Sequence, residues 1–192
     1  MAKRKVSFFQ GGYYHVYNRG ANRELIFRND ANYRFLLQRM KENLREWQAS
    51  VIAYCLMPNH YHFVLRQDGD CALSGFVQAV FNSYTKAFNK MWQRSGTLFE
   101  GPFEAIQVDK ERYLLQLCRY VHRNPLDAGL VTDIPEWQYS NYLEWIGQRS
   151  GTLVDSTLVH GFFADPKAYV DFVETYVPPE KISREVHSLL FD

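Results

Sequence analysis

The chain has 192 residues, 46% of them hydrophobic and 22% charged, with a formal net charge of +1. That is an ordinary globular composition and suits one domain with an elaborated end; no run approaches the roughly 20 apolar residues of a membrane span. The small net charge hides an asymmetry, because residues 1–125 carry 18 Lys and Arg against 10 Asp and Glu, a net +8, while residues 126–192 carry 4 against 11, a net −7.

In chain order, the start Met1-Ala-Lys-Arg-Lys5 is basic like the n-region of a signal peptide. Gln10-Gly-Gly12 cuts the following apolar run short, so no secretory signal is expected and the cytoplasm is the expected location. Cys55, Cys71 and Cys118 are an odd number at wide spacings, which argues against both a disulfide framework and a zinc knuckle. Tyr13 to Tyr17 is β-branched and aromatic between Gly12 and Asn18, and predicts a first strand. Asn29 or Asp30 caps a helix expected to run to about Gln48, with Phe35, Leu36, Met40 and Leu44 on its buried face.

Ala49 to Met57 and His60 to Arg66 predict a hairpin of two strands, punctuated by Pro58-Asn59. Phe76, Val80, Tyr84 and Phe88 recur every four residues and predict a helix from Leu73 to Trp92. Gly96 and Gly101-Pro102 break the chain before a fourth strand from Phe103 to Val108. A third helix spans Lys110 to Arg123 and is expected to stop at Pro125, because the residue before proline is pushed out of helical conformation.

The fold class this order predicts is α+β: a ferredoxin-like, or RRM-like, βαββαβ antiparallel sheet with an additional catalytic helix. Helices on one sheet face leave the other for a ligand. Residues 1–132 would form the main domain, and residues 133–192 an acidic C-terminal extension, irregular and partly helical, with a short helix from Pro166 to Tyr176.

Two elements carry chemistry. Side chains alternate along a strand, so His60 and His62 share a face and can hold one divalent cation. On the third helix Tyr120 and Asn124 are four residues apart and project together. If that helix abuts the histidine strand, two imidazole nitrogens and the Asn124 carbonyl make three ligands, with positions left for a phosphate oxygen and water. A tyrosine attacking phosphorus conserves the broken bond as a phosphotyrosine link, so cutting and joining become one reversible reaction. A free tyrosine, with a pKa near 10, needs a base or a cation's field for this.

Tyr113, one heptad earlier, is a weaker candidate nucleophile, because Leu117 follows it where Tyr120 has Asn124. His122 projects about 200° round the helix from Tyr120 and is expected to be no ligand. His15, His160 and His187 read as structural or surface residues.

The blocks Tyr14 to Gly20 (YHVYNRG), Met57 to His62 (MPNHYH), Gly96 to Gly101 (GTLFEG) and Arg119 to Val131 (RYVHRNPLDAGLV) resemble those of the HUH single-tyrosine transposases, and specifically the REP-associated tyrosine transposases. The resemblance covers about residues 8–145. It implies a metal-dependent endonuclease and transposase acting on single-stranded DNA beside hairpins, which leaves the 5′ phosphate on tyrosine and frees a 3′ hydroxyl. Carried over, Tyr120 is the nucleophile, His60 and His62 are metal ligands, and Asn124 takes the place of the amide one turn after the tyrosine.

The cofactor so implied is Mg²⁺ or Mn²⁺, and imidazole ligands lean toward Mn²⁺. Either cation needs neutral histidines, so activity is expected to fall below about pH 6.5. Partners implied are hairpin or single-stranded DNA, no membrane, and a possible homodimer, since relatives exist that exchange the tyrosine helix and others that act as monomers. Arg19, Arg23, Lys86, Lys90 and Arg94 are candidate DNA contacts, although Glu100 and Glu104 stand where relatives are often basic. Two other classes fit parts of the pattern: a non-catalytic RRM-like nucleic-acid binder, and a metal-dependent phosphohydrolase that uses water.

Overall fold

In a computed structural model, which describes residues 6–175, four strands form one antiparallel sheet in the order β2-β3-β1-β4. These are β1 (Tyr13–Arg19), β2 (Ala49–Met57), β3 (His60–Gln67) and β4 (Glu104–Val108). Helices α1 (Asp30–Leu44) and α2 (Leu73–Met91) make the two crossovers, and α3 (Glu111–Asp127) follows β4. This is the ferredoxin-like α+β arrangement.

Alternation along the strands builds two cores, one on each sheet face. Tyr14, Val16, Tyr61, Phe63 and Leu65 pack beneath α1 and α2, with the ring of Phe81 on α2 stacked on Tyr61 at 4.1 Å. Cys55, Met57 and Val64 lie on the other face under Leu114, Leu117, Cys118 and Val121 of α3. A bulge at Ile52 lets β2 serve both. It shifts the pairing between Val51 and Ala53, so Val51 joins the first core while Ile52 and Ala53 join the second.

The β2–β3 turn is pinned from outside the sheet. Pro58 O accepts from Ile26 N and Phe27 N, and Asn59 O accepts from Gly20 N at 2.7 Å. At Gly20 a Cβ would lie 2.1 Å from the Glu24 carbonyl oxygen, so only glycine allows the loop to close this tightly. Its closure fixes the start of β3, where His60 sits.

Two helix ends differ from the sequence expectation. Asn29 caps α1 as predicted, accepting from Asn32 N at 3.1 Å, but the helix stops at Leu44 instead of Gln48. Gln48 takes a left-handed φ of 47° and its carbonyl accepts from Asp68 N, joining the turn to the sheet. Helix α3 runs through Pro125 to Asp127 instead of ending at Arg123. Proline costs it one backbone hydrogen bond, and burial of Pro125 offsets part of that cost. The stop comes from Gly129, at φ 68°: its N–H donates to Leu126 O and that of Leu130 donates to Pro125 O, the Schellman pairing that a left-handed glycine permits.

Residues 133–175 wrap the second face. After a 3₁₀ turn at Ile134–Glu136 come α4 (Tyr142–Trp145), α5 (Thr157–Phe162) and α6 (Pro166–Glu174). Tyr176, the expected end of the last helix, lies outside the described residues. This segment covers the free edge of β2: Leu56 N–H donates to Tyr139 O, Asn141 N–H to Tyr54 O and Asp155 N–H to Val51 O.

Asn141 is the buried junction. Its Oδ1 accepts from Tyr54 N at 2.6 Å and bonds His122 Nε2 at 2.9 Å, while its Nδ2 donates to Ile52 O at 3.3 Å. Replacing it by leucine keeps the bulk and strands all three partners, so Asn141→Leu is expected to lower the unfolding free energy by roughly 3 kcal/mol or more. Urea denaturation checks this; a loss under about 1 kcal/mol would mean the junction contributes little.

Candidate functional site

The sheet face under α3 carries every alternate residue of three neighbouring strands. Across it, Tyr17 of β1 and Cys55 of β2 flank His62, and Arg19 and Met57 flank His60. Because α3 starts at the far end of the sheet and runs back along this face, its last two turns arrive over the histidines. Tyr120 places its ring 5.7 Å from that of His62, which itself stands 5.1 Å from His60.

One amide joins the two elements. Asn124 Nδ2 donates to the Tyr120 hydroxyl at 2.9 Å, and that bond turns its Oδ1 toward His60 Nε2, 3.2 Å away. The other nitrogen of His60, Nδ1, meets Asn59 Oδ1 at 2.7 Å. A neutral imidazole owns one N–H, so it cannot donate to both amide oxygens. If Nδ1–H bonds Asn59, the Nε2 lone pair faces the Asn124 oxygen, an arrangement that a cation between them satisfies.

His62 adds a third donor. The residue is buried, and its Nε2 has no hydrogen-bond partner among the described residues, whereas buried polar atoms nearly always find one. Among the described residues no three His, Cys, Asp or Glu side chains converge as a metal site. The donor set here is two imidazoles and one amide oxygen, a mixed N and O set that fits Mn²⁺ or Mg²⁺ with positions left for water and phosphate.

Burial lowers the pKa of both histidines. His60 is depressed by desolvation, against the opposing effect of Asn124 Oδ1 as an acceptor, and by the charge of Arg19; His62 falls further through desolvation, then through His60 and His15. Both rings therefore stay neutral below the free-imidazole range. A cation held by both rings would then be lost to acid only below the pH of about 6.5 that unperturbed histidines would set.

His15 is the residue that sequence reasoning passed over. It is buried on the same face, with Nε2 3.0 Å from His62 Nδ1. Strand parity places it there, yet only the β1–β3 register, which pairs His15 with Val64, shows that it reaches His62. His122 points away from Tyr120 into the second core, bonding Tyr169 Oη at 2.6 Å and Asn141 at 2.9 Å. His160 is exposed on α5, and His187 lies outside the described residues. Tyr113 stands two helical turns before Tyr120, about 10 Å along the axis.

The candidate DNA contacts separate into groups. Arg19 lies beside His60 and is paired with Glu100; that pair holds the Glu100 carboxyl below its ordinary pKa. Arg23 is exposed in the 3₁₀ turn Ala21–Arg23. Lys86 and Lys90 are exposed on α2, which covers the sheet face opposite the histidines, so the structure does not bring them to the site. Arg94, just past α2, pairs with Glu24 and lies over the Phe88 ring.

Buried histidines also make the fold acid-sensitive. Desolvation pulls His122 down to about 4 and His15 to about 3, while in the unfolded chain each takes a proton near 6.5. Below pH 6.5 the unfolded state binds more protons, so stability is full above that pH and is lost as pH falls toward the folded values. At pH 5 the two together should cost roughly 4 kcal/mol. Urea midpoints at pH 7, 6 and 5 should fall in sequence; a flat series contradicts the burial of neutral rings.

Comparison with known proteins adds the following. The family model described as Transposase IS200 like matches residues 8–124. No curated protein matches the chain. A solved structure of a REP-associated tyrosine transposase bound to a REP hairpin superposes with a TM-score of 0.66 at 16% identity, covering 82% of this chain and 96% of that one; at that identity it shows a shared fold. A putative transposase from Deinococcus radiodurans gives 0.44 at 14% identity, covering 62% of this chain and 95% of that one. A tRNA(His) guanylyltransferase from Saccharomyces cerevisiae gives 0.47 at 10%, covering 96% and 81%. Neither of these last two is close enough to bear on fold. Among the described residues no helix is long and apolar enough to cross a membrane.

Proposed function

The chain belongs to the IS200-like transposases, and from that premise we propose that it cleaves and rejoins single-stranded DNA beside hairpins through a covalent link to Tyr120. The observation that carries this reading is the shared amide: Asn124 contacts the Tyr120 hydroxyl with one end and His60 with the other. A surface tyrosine or a packing tyrosine has no need of that bridge.

In the proposed reaction the Tyr120 oxygen attacks phosphorus, the bond from phosphorus to the 3′ oxygen breaks, and the phenolic proton is balanced by one taken up at the departing 3′ hydroxyl. Rejoining is the same exchange reversed, with a 3′ hydroxyl attacking and tyrosine leaving. Asn124 Nδ2 keeps a donor on the phenolic oxygen, which favours the ionised form as the proton departs. His60 and His62 through Nε2, with Asn124 Oδ1, would hold Mg²⁺ or Mn²⁺, and such a cation when bound supplies Lewis-acid polarisation of the scissile phosphate. Arg19, beside His60 at the end of β1, and Arg23, in the turn that follows, are the proposed nearer phosphate contacts; Lys86, Lys90 and Arg94 are proposed to hold flanking DNA along α2 and its exit.

Residues 1–132 are proposed as the nuclease unit, braced by the extension from 133 onward. Tyr120 meets His62 and Asn124 within one chain, so the reading requires no second subunit to complete the site. The competing RRM-like reading uses an open sheet face for stacking bases; here α3 and the extension occupy that face.

The test is incubation of an end-labelled hairpin oligonucleotide carrying a single-stranded flank with Mn²⁺, and in parallel with EDTA. A covalent protein–DNA band with Mn²⁺ that EDTA removes is expected, with hairpin retention on a native gel unchanged. Cleavage without a covalent band would instead support the water-using phosphohydrolase, and binding without cleavage the non-catalytic binder.

A further inference from the structure

The proposed chemistry leaves His15 without a role, although it lies sealed inside the site. His15 and His62 are diagonal neighbours on β1 and β3, two residues out of register, since His15 pairs with Val64 and Tyr17 with His62. Their rings are nearly parallel, at 26° and 5.2 Å between centroids, with Nε2 of His15 3.0 Å from Nδ1 of His62. They are 3% and 1% exposed. Two nitrogens 3.0 Å apart have room for one hydrogen between them, and that N–H belongs to one ring or the other.

The two choices have different consequences for the far nitrogen of His62. Were His15 the donor, His62 would carry its proton on Nε2, a buried donor with no acceptor among the described residues. Were His62 the donor, Nε2 would present a lone pair in the cluster made by His60, Tyr120 and Asn124. Orphaned buried donors are the rarer defect in folded proteins, and a proton on Nε2 would also exclude any cation from that nitrogen. The tautomer of a metal-binding histidine is set by what its other nitrogen contacts, usually a carboxylate or carbonyl; here the contact is a second imidazole.

We propose that His15 is a positioning residue whose Nε2 accepts the Nδ1–H of His62, fixing the His62 tautomer and ring orientation so that Nε2 stays unprotonated and available to a divalent cation. The assignment rests on the cation reading of the site for its purpose, and on the 3.0 Å contact for its geometry. His15 touches neither DNA nor the reacting atoms in this scheme.

Long-range ¹H–¹⁵N spectra of the imidazoles in the metal-free full-length chain, paired with Mn²⁺ titration by calorimetry, test it. The wild-type chain should show His62 protonated at Nδ1. His15→Leu, which fills the space but accepts nothing, should shift His62 toward the Nε2–H form and weaken Mn²⁺ binding about 10- to 100-fold, the usual effect of losing such a partner. His15→Gln places an amide oxygen near the lost Nε2 and should restore both readouts to within a few-fold. A purely space-filling His15 would be served by leucine. The proposal is overturned by a wild-type His62 protonated at Nε2, or by a His15→Leu chain with unchanged tautomer and affinity. Should the wild-type chain bind no Mn²⁺, the cation reading fails separately, and the tautomer spectra still decide the role of His15.

Discussion

Tyr120→Phe is expected to abolish the covalent protein–DNA product and lower strand cleavage by at least about 10⁴-fold, the scale of loss seen when a covalent nucleophile is removed. In free energy that is about 5.5 kcal/mol of transition-state stabilisation. The fold should tolerate the change. Phenylalanine keeps the ring that sits against His62, and the hydrogen bond from Asn124 Nδ2 that it gives up is worth about 1 kcal/mol. Hairpin affinity should stay within a few-fold of wild type, because the proposed phosphate contacts lie elsewhere. A Tyr120→Phe chain that still forms the covalent product would move the nucleophile to another residue, with Tyr113 or Tyr17 the next to substitute.

His62→Ala has the second largest expected effect. It removes the buried imidazole whose Nε2 has no hydrogen-bond partner among the described residues, and with it one of three proposed donors. Loss of an outer partner typically weakens a metal site 10- to 100-fold, so loss of a ligand itself should weaken Mn²⁺ binding by more than about 100-fold on the same scale. Cleavage at low Mn²⁺ should fall with it, and part should return at high Mn²⁺, a concentration dependence that a purely structural defect would not show. His62→Ala also opens a small cavity and leaves His15 Nε2 without its partner, so a lowered melting temperature is expected alongside. Unchanged Mn²⁺ affinity in a folded His62→Ala chain would remove His62 from the metal set.

The parts of this architecture that were legible in the sequence are those written as periodicity. Alternation marks β1 and the β2–β3 hairpin, and the spacing of Phe76, Val80, Tyr84 and Phe88 marks the buried face of α2, all four of which are buried. Helical phase also placed His122 away from Tyr120. The two missed helix ends both have tertiary causes: past α1 the chain turns so that Gln48 O accepts from Asp68 N, and at Pro125 burial prevails over the local rule for proline. What sequence could not supply is register and the far side of each helix. His15 shares the parity of the site face, but its 3.0 Å approach to His62 depends on how β1 slides against β3. Asn141 and Tyr169, which clamp His122 from 19 and 47 residues away, belong to no repeating pattern. Nor does a count of charges tell which face of the sheet Lys86 and Lys90 occupy.

The Tyr120 oxygen is proposed to become bonded to DNA phosphorus at a site shared with His60, His62 and Asn124. The most direct measurement of that bond is proteolysis of the Mn²⁺-dependent protein–DNA product followed by mass spectrometry of the nucleotide-bearing peptide. A phosphodiester on Tyr120, absent when EDTA is present, is the predicted result. A modification on any other residue, or one that forms equally well in EDTA, would contradict it.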